Sequence, residues 1–141
     1  MKRIYWDAML FIYWMESNPV FGAKVDVMFR ASLARRDEIY TSIVTLGEVL
    51  VLPIRQQSTA MIQTAEAFFD SGAVKLLPVN RDAMRRFAEV RATTRIASTD
   101  ALHLACAGAY GVDLFLTNDK ALHKHQIPGI RRIAGIDAKI I

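Results

Sequence analysis

Strand-like and helical segments alternate along the sequence, and this alternation constrains the fold more than any other feature. Short apolar runs predict strands over residues 2–6, 38–42, 74–79, 113–117 and 130–133. The run at 113–117 is almost wholly apolar, as in the central strand of a parallel sheet that is covered on both faces. Strands that alternate with helices form parallel sheets between helical layers. The sequence therefore predicts a three-layer α/β/α domain.

Helix-capping and helix-breaking residues bound the segments between the strands. The predicted helices cover residues 8–16, 19–36, a stretch from about 44, 58–71, a stretch from 81, and 100–110. Pro53 should interrupt or end the third helix, because proline lacks a backbone donor. Asn80 should cap the fifth helix, and Ser98 or Thr99 the sixth.

The composition is that of one globular domain. The chain has 141 residues, 52% of them hydrophobic, which is enough to bury a core at this length. A single cysteine, Cys106, excludes a disulfide framework and a cysteine-based zinc site. Asp7 interrupts the apolar N-terminal run, and no uncharged run reaches the ~18 residues of a membrane helix. We expect a single domain over residues 1–141 of a soluble, cytoplasmic protein without a membrane segment.

Positive charge is concentrated in the second half of the chain. Residues 1–70 carry seven Lys and Arg against eight Asp and Glu, whereas residues 71–141 carry eleven against six. A basic half indicates an anionic partner, with nucleic acid the first candidate. If the fifth helix continues far enough, four arginines share about 120° of its surface and could contact RNA phosphates or form a solvated face: Arg81, Arg85, Arg91 and Arg95.

Four acidic residues lie at equivalent places in the predicted fold. Asp7 and Asp119 follow the first and fourth strands, whereas Glu48 and Asp100 lie early in helices. Ligands bind at the carboxyl ends of parallel strands, so we expect the four carboxylates to converge there. Clustered carboxylates repel one another unless a cation neutralises them. Oxygen ligands without accompanying Cys or His favour Mg²⁺ or Mn²⁺.

Each acid also has a structural explanation when it is taken alone. Asp100 could complement the dipole of its helix, Asp119 could cap a short helix, and Glu48 could pair with an arginine. His103 lies one helical turn after Asp100. We expect it to pack or hydrogen-bond as a neutral histidine rather than to bind a metal. Two further histidines lie in a polar loop and are expected to have no specific role: His123 and His125.

Four motifs, taken together, carry a family resemblance. They are Asp7 before an apolar helix with Glu16, the segment TSIVTLGEV that contains Glu48, the segment STDALHLA that contains Asp100, and the segment LTND that ends at Asp119. In order and spacing this set resembles the PIN-domain ribonucleases, and among them the VapC-type toxins of bacterial and archaeal toxin–antitoxin pairs. The resemblance spans nearly the whole chain. It implies a PIN-like domain with a parallel sheet of about five strands between helices.

The resemblance also implies a function and a set of site residues. The metal-binding and catalytic acids would be Asp7, Glu48, Asp100 and Asp119. Thr117 or Asn118 would orient a carboxylate or the attacking water. Bound Mg²⁺ or Mn²⁺ would promote hydrolysis of RNA phosphodiester bonds. The partners would be RNA, a second copy in a homodimer, and a cognate antitoxin that often places an arginine over the acidic site, where a guanidinium pairs well with carboxylates.

One departure and several alternatives remain. Ala8 and Met9 stand where the family usually has a small hydroxyl residue and then Asn or Ser, so a hydrogen bond near the site is missing or is supplied elsewhere.

Other classes of protein that place acids at a sheet edge do not match the sequence. A receiver domain needs an Asp at the end of the third strand, and a dehalogenase-type phosphatase needs one at position 9; neither is present. Glycine-rich nucleotide-binding motifs are also missing. The main alternative is a catalytically weak PIN domain that binds RNA or protein.

Overall fold

The computed structural model describes residues 1–137, which contain one five-stranded sheet. Its strands are β1 (Arg3–Trp6), β2 (Glu38–Ser42), β3 (Lys75–Leu77), β4 (Val112–Leu116) and β5 (Ile130–Ala134). They pair in parallel in the order β3-β2-β1-β4-β5. The expected parallel sheet of about five strands is confirmed.

Helices connect the strands. They are α1 (Ala8–Met15), α2 (Gly22–Arg35), α3 (Ile43–Arg55), α4 (Thr59–Asp70), α5 (Arg81–Thr93) and α6 (Ser98–Tyr110), and a short 3-10 helix, Lys120–Leu122, follows β4. Within residues 1–137, none of these helices is long and apolar enough to cross a membrane.

The central strand β1 contributes to two separate apolar cores. Ile4 and Trp6 belong to the core beneath α1, α2, α3 and α4, whereas Tyr5 belongs to the core beneath α5 and α6. Successive side chains of a strand point to opposite faces, and all three of these residues are fully buried. Cys106 is buried in the second core, as expected. The predicted three-layer α/β/α arrangement is confirmed.

Three of the predicted helix boundaries are wrong. α2 begins at Gly22 and not at Pro19, because the Asn18 side chain accepts hydrogen bonds from the Val20 and Phe21 N–H groups and forms a turn there.

The other two boundaries are those of α3 and α6. α3 continues past Pro53 to Arg55, because a proline near the end of a helix removes only one backbone donor. α6 begins at Ser98, so that Ala97 is the N-cap residue and no side chain caps the helix. Neither Ser98 nor Thr99 is therefore the cap that the sequence predicts.

The end of α5 changes the interpretation of the arginine surface. Thr94 is extended, and its hydroxyl donates to the Val90 carbonyl at 2.7 Å and accepts from the Ile96 N–H at 3.1 Å. These local bonds compete with continuation of the helix. Arg95 therefore lies outside α5, and the prediction that four arginines share one face of this helix is wrong.

The sheet topology determines where a ligand can bind. From β1 the chain adds β2 and β3 on one side, then returns to place β4 on the other side of β1. Such a switch point opens a crevice at the carboxyl ends of the two adjacent strands. Trp6 of β1 is in register with Leu116 of β4, so Asp7 and Thr117 follow their strands at neighbouring positions.

Candidate active site

The carboxyl ends of β1 and β4 bring an acid and a hydroxyl together. Asp7 is the N-cap residue of α1, yet its side chain caps no N–H group of that helix. Its Oδ2 instead accepts a hydrogen bond of 2.8 Å from the Thr117 hydroxyl. Both side chains are buried, and burial of a carboxylate is costly unless it is hydrogen-bonded. Thr117 thus holds the Asp7 carboxylate in one orientation.

The Thr117 hydroxyl also connects Asp7 to Asp119. It accepts a hydrogen bond of 3.1 Å from the Asp119 backbone N–H. The Oδ1 of Asp119 accepts from the Ala121 N–H at 3.0 Å and caps the 3-10 helix. The structural explanation for Asp119 is therefore correct for one of its oxygens. Asn118, between Thr117 and Asp119, is half-buried.

His103 of α6 contacts one residue of the opposite helical layer and two residues at the carboxyl end of β1. Its Nε2 lies 2.5 Å from Oε1 of Glu48 on α3 and 3.9 Å from Oδ1 of Asp7. Its Nδ1 lies 2.7 Å from the Tyr5 hydroxyl. The ring is only 1% exposed. His103 is thus a packed, hydrogen-bonded histidine, as expected, and it brings Glu48 to the edge of the sheet beside Asp7.

Asp100 shares the electrostatic environment of the other acids. Burial raises the pKa of its carboxyl, and the negative charges of Asp7 and Asp119 raise it further; Glu48 adds to this effect and His103 opposes it. Asp100 also lies in the first turn of α6, where a negative charge complements the helix dipole. The structure therefore brings the four predicted acids into one region of mutual repulsion.

The donor set fits a hard divalent cation in its chemistry. Within residues 1–137, no three His, Cys, Asp or Glu side chains already lie close enough together to hold a metal ion. The four acids nevertheless offer only carboxylate oxygens, the ligands that Mg²⁺ and Mn²⁺ prefer. A cation among them would also offset the repulsion that adds to burial in raising the pKa of Asp100.

A cavity with basic side chains adjoins the acids. It has a volume of about 440 Å³, and Asp100, Asp119, Arg95, Lys124 and His125 are among the residues that line it. Arg95 and Lys124 are exposed. An anionic strand in this cavity would meet positive side chains immediately beside the carboxylates.

The other three predicted RNA-binding arginines are not among the residues of this cavity. Arg81 is exposed at the start of α5. Arg85 is exposed and lies 3.6 Å from Glu89 one turn away. Arg91 donates to the Ile96 carbonyl at 2.6 Å. The structure therefore separates Arg95 from the rest of the predicted set.

Besides the contact of His103 with Glu48, sequence reasoning missed two contacts at the site. His123, for which no specific role was expected, donates from Nε2 to the Thr117 carbonyl at 3.0 Å, so that expectation is wrong. The partnership of Tyr5 with His103 joins residues 98 positions apart. The alternation of β1 predicts that Tyr5 points away from Ile4 and Trp6, but no local spacing identifies its partner.

The departure at positions 8 and 9 has a structural counterpart. Ala8 is fully buried and has no hydroxyl to offer, while Met9 is partly exposed. The hydrogen bond to the Asp7 carboxylate comes from Thr117, which directly follows the neighbouring strand β4. At least one hydrogen bond at the first acid is therefore supplied from the residue after β4 and not from the start of α1.

Comparison with known proteins identifies the family. The family model described as "PIN domain" matches residues 4–127. The fold is a three-layer α/β/α domain with acids at one edge of the sheet. Because the family model matches most of the residues, the chain belongs to the PIN domain family. No curated protein sequence matches the chain.

Solved structures of low sequence identity share this fold. VapBC2 from Rickettsia felis, bound to a promoter DNA fragment, matches with a TM-score of 0.75 at 15% identity, covering 94% of this chain and 98% of that one. VapC20 from Mycobacterium tuberculosis is described as a Sarcin-Ricin loop cleaving toxin. It matches with a TM-score of 0.67 at 17% identity, covering 87% of this chain and 96% of that one. DNA-bound VapBC from Salmonella typhimurium matches with a TM-score of 0.65 at 20% identity, covering 96% of this chain and 99% of that one.

Substitution Asp100→Asn is expected to raise the melting temperature of the metal-free chain at about pH 7. Because burial and neighbouring carboxylates raise the pKa of Asp100 in the folded chain, its ionisation costs stability as the pH rises through the unfolded and then the folded pKa. The advantage of the variant should therefore vanish below the unfolded pKa, by about pH 3. Thermal melts in EDTA across this range measure the difference.

Glu66→Gln is the matched control, because Glu66 is an exposed carboxylate on α4. It should not show the same pH-dependent gain. A melting temperature of the Asp100→Asn chain below that of the parent at about pH 7 would contradict the proposed crowding of charges.

Proposed function

We propose that this PIN-domain chain is an endoribonuclease that depends on Mg²⁺ or Mn²⁺ and acts as the toxin of a toxin–antitoxin pair. The observation that carries the proposal is the meeting of Asp7 and Glu48 around His103, with Asp100 in the same electrostatic environment. The fold similarity to VapC20, described as a toxin that cleaves the Sarcin-Ricin loop, supports RNA as the substrate class. Cytoplasmic action would follow, because RNA and a protein antitoxin are present there.

The chain's residues have distinct roles in this proposal. The metal ligands would be Asp7, Glu48, Asp100 and Asp119. When bound, a divalent cation supplies the positive charge that activates water and stabilises the departing oxygen. Thr117 fixes Asp7 through its hydroxyl. Asn118, half-buried beside Thr117, is proposed to orient the attacking water. Pre-fixed carboxylates lower the cost of organising the site in the transition state.

Asp100→Asn is expected to lower RNA cleavage by at least about 100-fold while the fold is retained, because it removes a charged ligand and almost no volume. The measurement is cleavage of a labelled RNA pool by the purified chain with Mg²⁺ or Mn²⁺. The expected result in EDTA is no cleavage by either protein. Glu66→Gln, which exchanges an exposed carboxylate on α4 for an amide, should cleave like the parent.

Two outcomes would contradict this proposal. Cleavage that persists in EDTA, or in the Asp100→Asn chain, would exclude the metal-dependent mechanism. A folded parent that binds RNA but does not cleave it in the presence of either metal would favour the alternative, a PIN domain that serves as a binding module. Ala8 and Met9 are the observation on which that alternative rests.

The basic cavity offers a path for the RNA strand. Arg95 and Lys124 line the same cavity as Asp100 and Asp119, so a phosphate held by these two cations would lie next to the acids. Arg81, Arg85 and Arg91 are not among the residues that line this cavity. We therefore assign the main phosphate contacts to Arg95 and Lys124.

Arg95→Ala is expected to raise the KM for RNA several-fold and to leave Mn²⁺ affinity unchanged. Loss of one phosphate contact should also reduce the magnitude of the slope of log affinity against log salt by about 0.7 for single-stranded RNA. Arg85→Ala is the matched control, because Arg85 is an exposed arginine on α5 that faces Glu89. Equal salt slopes for the two variants would contradict the proposed path.

A cognate antitoxin and a second copy of the chain are the proposed protein partners. The structures from Rickettsia felis and Salmonella typhimurium are VapBC complexes, which supports an antitoxin. An apolar cavity of about 240 Å³ between α1, α3 and α4 would receive an apolar helix; Ile12, Met15, Val49 and Met61 are among its residues. For a homodimer, α3 offers an exposed stripe of Ile43, Val51 and Ile54.

Expression of the chain alone is expected to slow bacterial growth, and co-expression of a small protein encoded by the neighbouring gene should restore it. That neighbour should have a DNA-binding N-terminal part and an apolar, arginine-containing C-terminal part. Growth curves with inducible promoters measure both effects, and the Asp100→Asn chain should be harmless. Normal growth during accumulation of folded, active parent chain would contradict the toxin role.

A further inference from the structure

We propose that His103 is a positioning residue that holds Glu48 for the metal ion, and that Tyr5 fixes the imidazole tautomer that makes this possible. The inference rests on the proposed metal-dependent function. It adds a chain of hydrogen bonds, Tyr5–His103–Glu48, that connects the central strand β1 through α6 to α3.

With a neutral His103 ring and an ionised Glu48, the atoms in this chain allow one arrangement of the protons. A Glu48 carboxylate can only accept a hydrogen bond, so the proton between it and His103 lies on Nε2. In the neutral ring Nδ1 is then an acceptor, and the Tyr5 hydroxyl is its donor.

Packing holds the side chains of Tyr5 and His103 in place. Tyr5 is fully buried and stacks on Phe115 of the adjacent strand, with ring centroids 4.9 Å apart and planes within 6°. His103 lies edge-on to Tyr5 and is also buried. A donor fixed by such contacts costs little additional entropy when it binds an acceptor.

Glu48 needs this support more than Asp7 does. Its side chain is 33% exposed, whereas that of Asp7 is 9% exposed. A flexible glutamate at a helix surface loses rotamer entropy when it is fixed. The hydrogen bond from His103 orders Oε1 in advance and leaves Oε2 as the ligand atom. Loss of such support typically lowers metal affinity 10- to 100-fold.

The direct test is calorimetric titration of the full chain with Mn²⁺ at fixed pH. His103→Leu, which removes the donor, should weaken binding about 10- to 100-fold. His103→Gln should restore most of the affinity, because its amide can place a donor near the position of Nε2. Tyr5→Phe keeps the ring that stacks on Phe115 and should weaken binding by a smaller factor.

Kinetics and NMR separate positioning from a general structural effect. In His103→Leu, the fall in kcat at low Mn²⁺ should be reversed by raising Mn²⁺, while the KM for RNA stays unchanged. Nitrogen-15 spectra of the metal-free parent should show the His103 tautomer protonated at Nε2. Tyr5→Phe should change the Nδ1 signal.

The outcomes distinguish the two proposals. Equal Mn²⁺ affinity for the parent and folded His103→Leu would overturn the positioning role alone. A ring protonated only at Nδ1, or at both nitrogens, would overturn the role of Tyr5 as donor. A parent chain that binds no Mn²⁺ would overturn both the proposed function and this inference. If His103→Leu does not fold, the Mn²⁺ affinities of Tyr5→Phe and His103→Gln, compared with that of the parent, test the positioning role.

Discussion

The parallel pairing of β1 with β4 is the contact on which the candidate site depends. These strands are far apart in the sequence, yet their register places Trp6 beside Leu116 and therefore Asp7 beside Thr117. A slip of one residue would turn buried side chains to the opposite face of the sheet. The two apolar cores resist such a slip, because Tyr5 fits one of them and Trp6 the other. Packing of the cores thus fixes the position of the first acid.

The site forms where the two helical layers meet over the edge of the sheet. Glu48 comes from α3 in one layer, and Asp100 and His103 come from α6 in the other. Burial and the negative charges of Asp7 and Asp119 raise the pKa of Asp100, so assembly of the site has an electrostatic cost. That cost is local, and burial of two apolar cores offsets it. A site of this kind therefore needs a well-packed fold around it.

Sequence periodicity predicted the strands and placed the four acids at one edge, because both follow from local pattern and parallel topology. It did not predict the end of α5, which depends on the bonds that Thr94 makes with Val90 and Ile96. Nor did it predict the contact of His103 with Glu48, which joins residues 55 positions apart. Residue spacing does not predict side-chain hydrogen bonds that compete with a helix. It also does not predict contacts between the two helical layers.

Structural and functional explanations of the acids are compatible with each other. Asp7 uses Oδ2 for Thr117, Asp119 uses Oδ1 for the Ala121 N–H, and Glu48 uses Oε1 for His103. Within residues 1–137 the second oxygen of each carboxylate makes no hydrogen bond. One oxygen thus orders the side chain, and the other is available to the metal ion that we propose. Mg²⁺ usually takes only a few carboxylates and keeps several waters. A capping or paired acid is therefore better prepared for a metal than an unrestrained one.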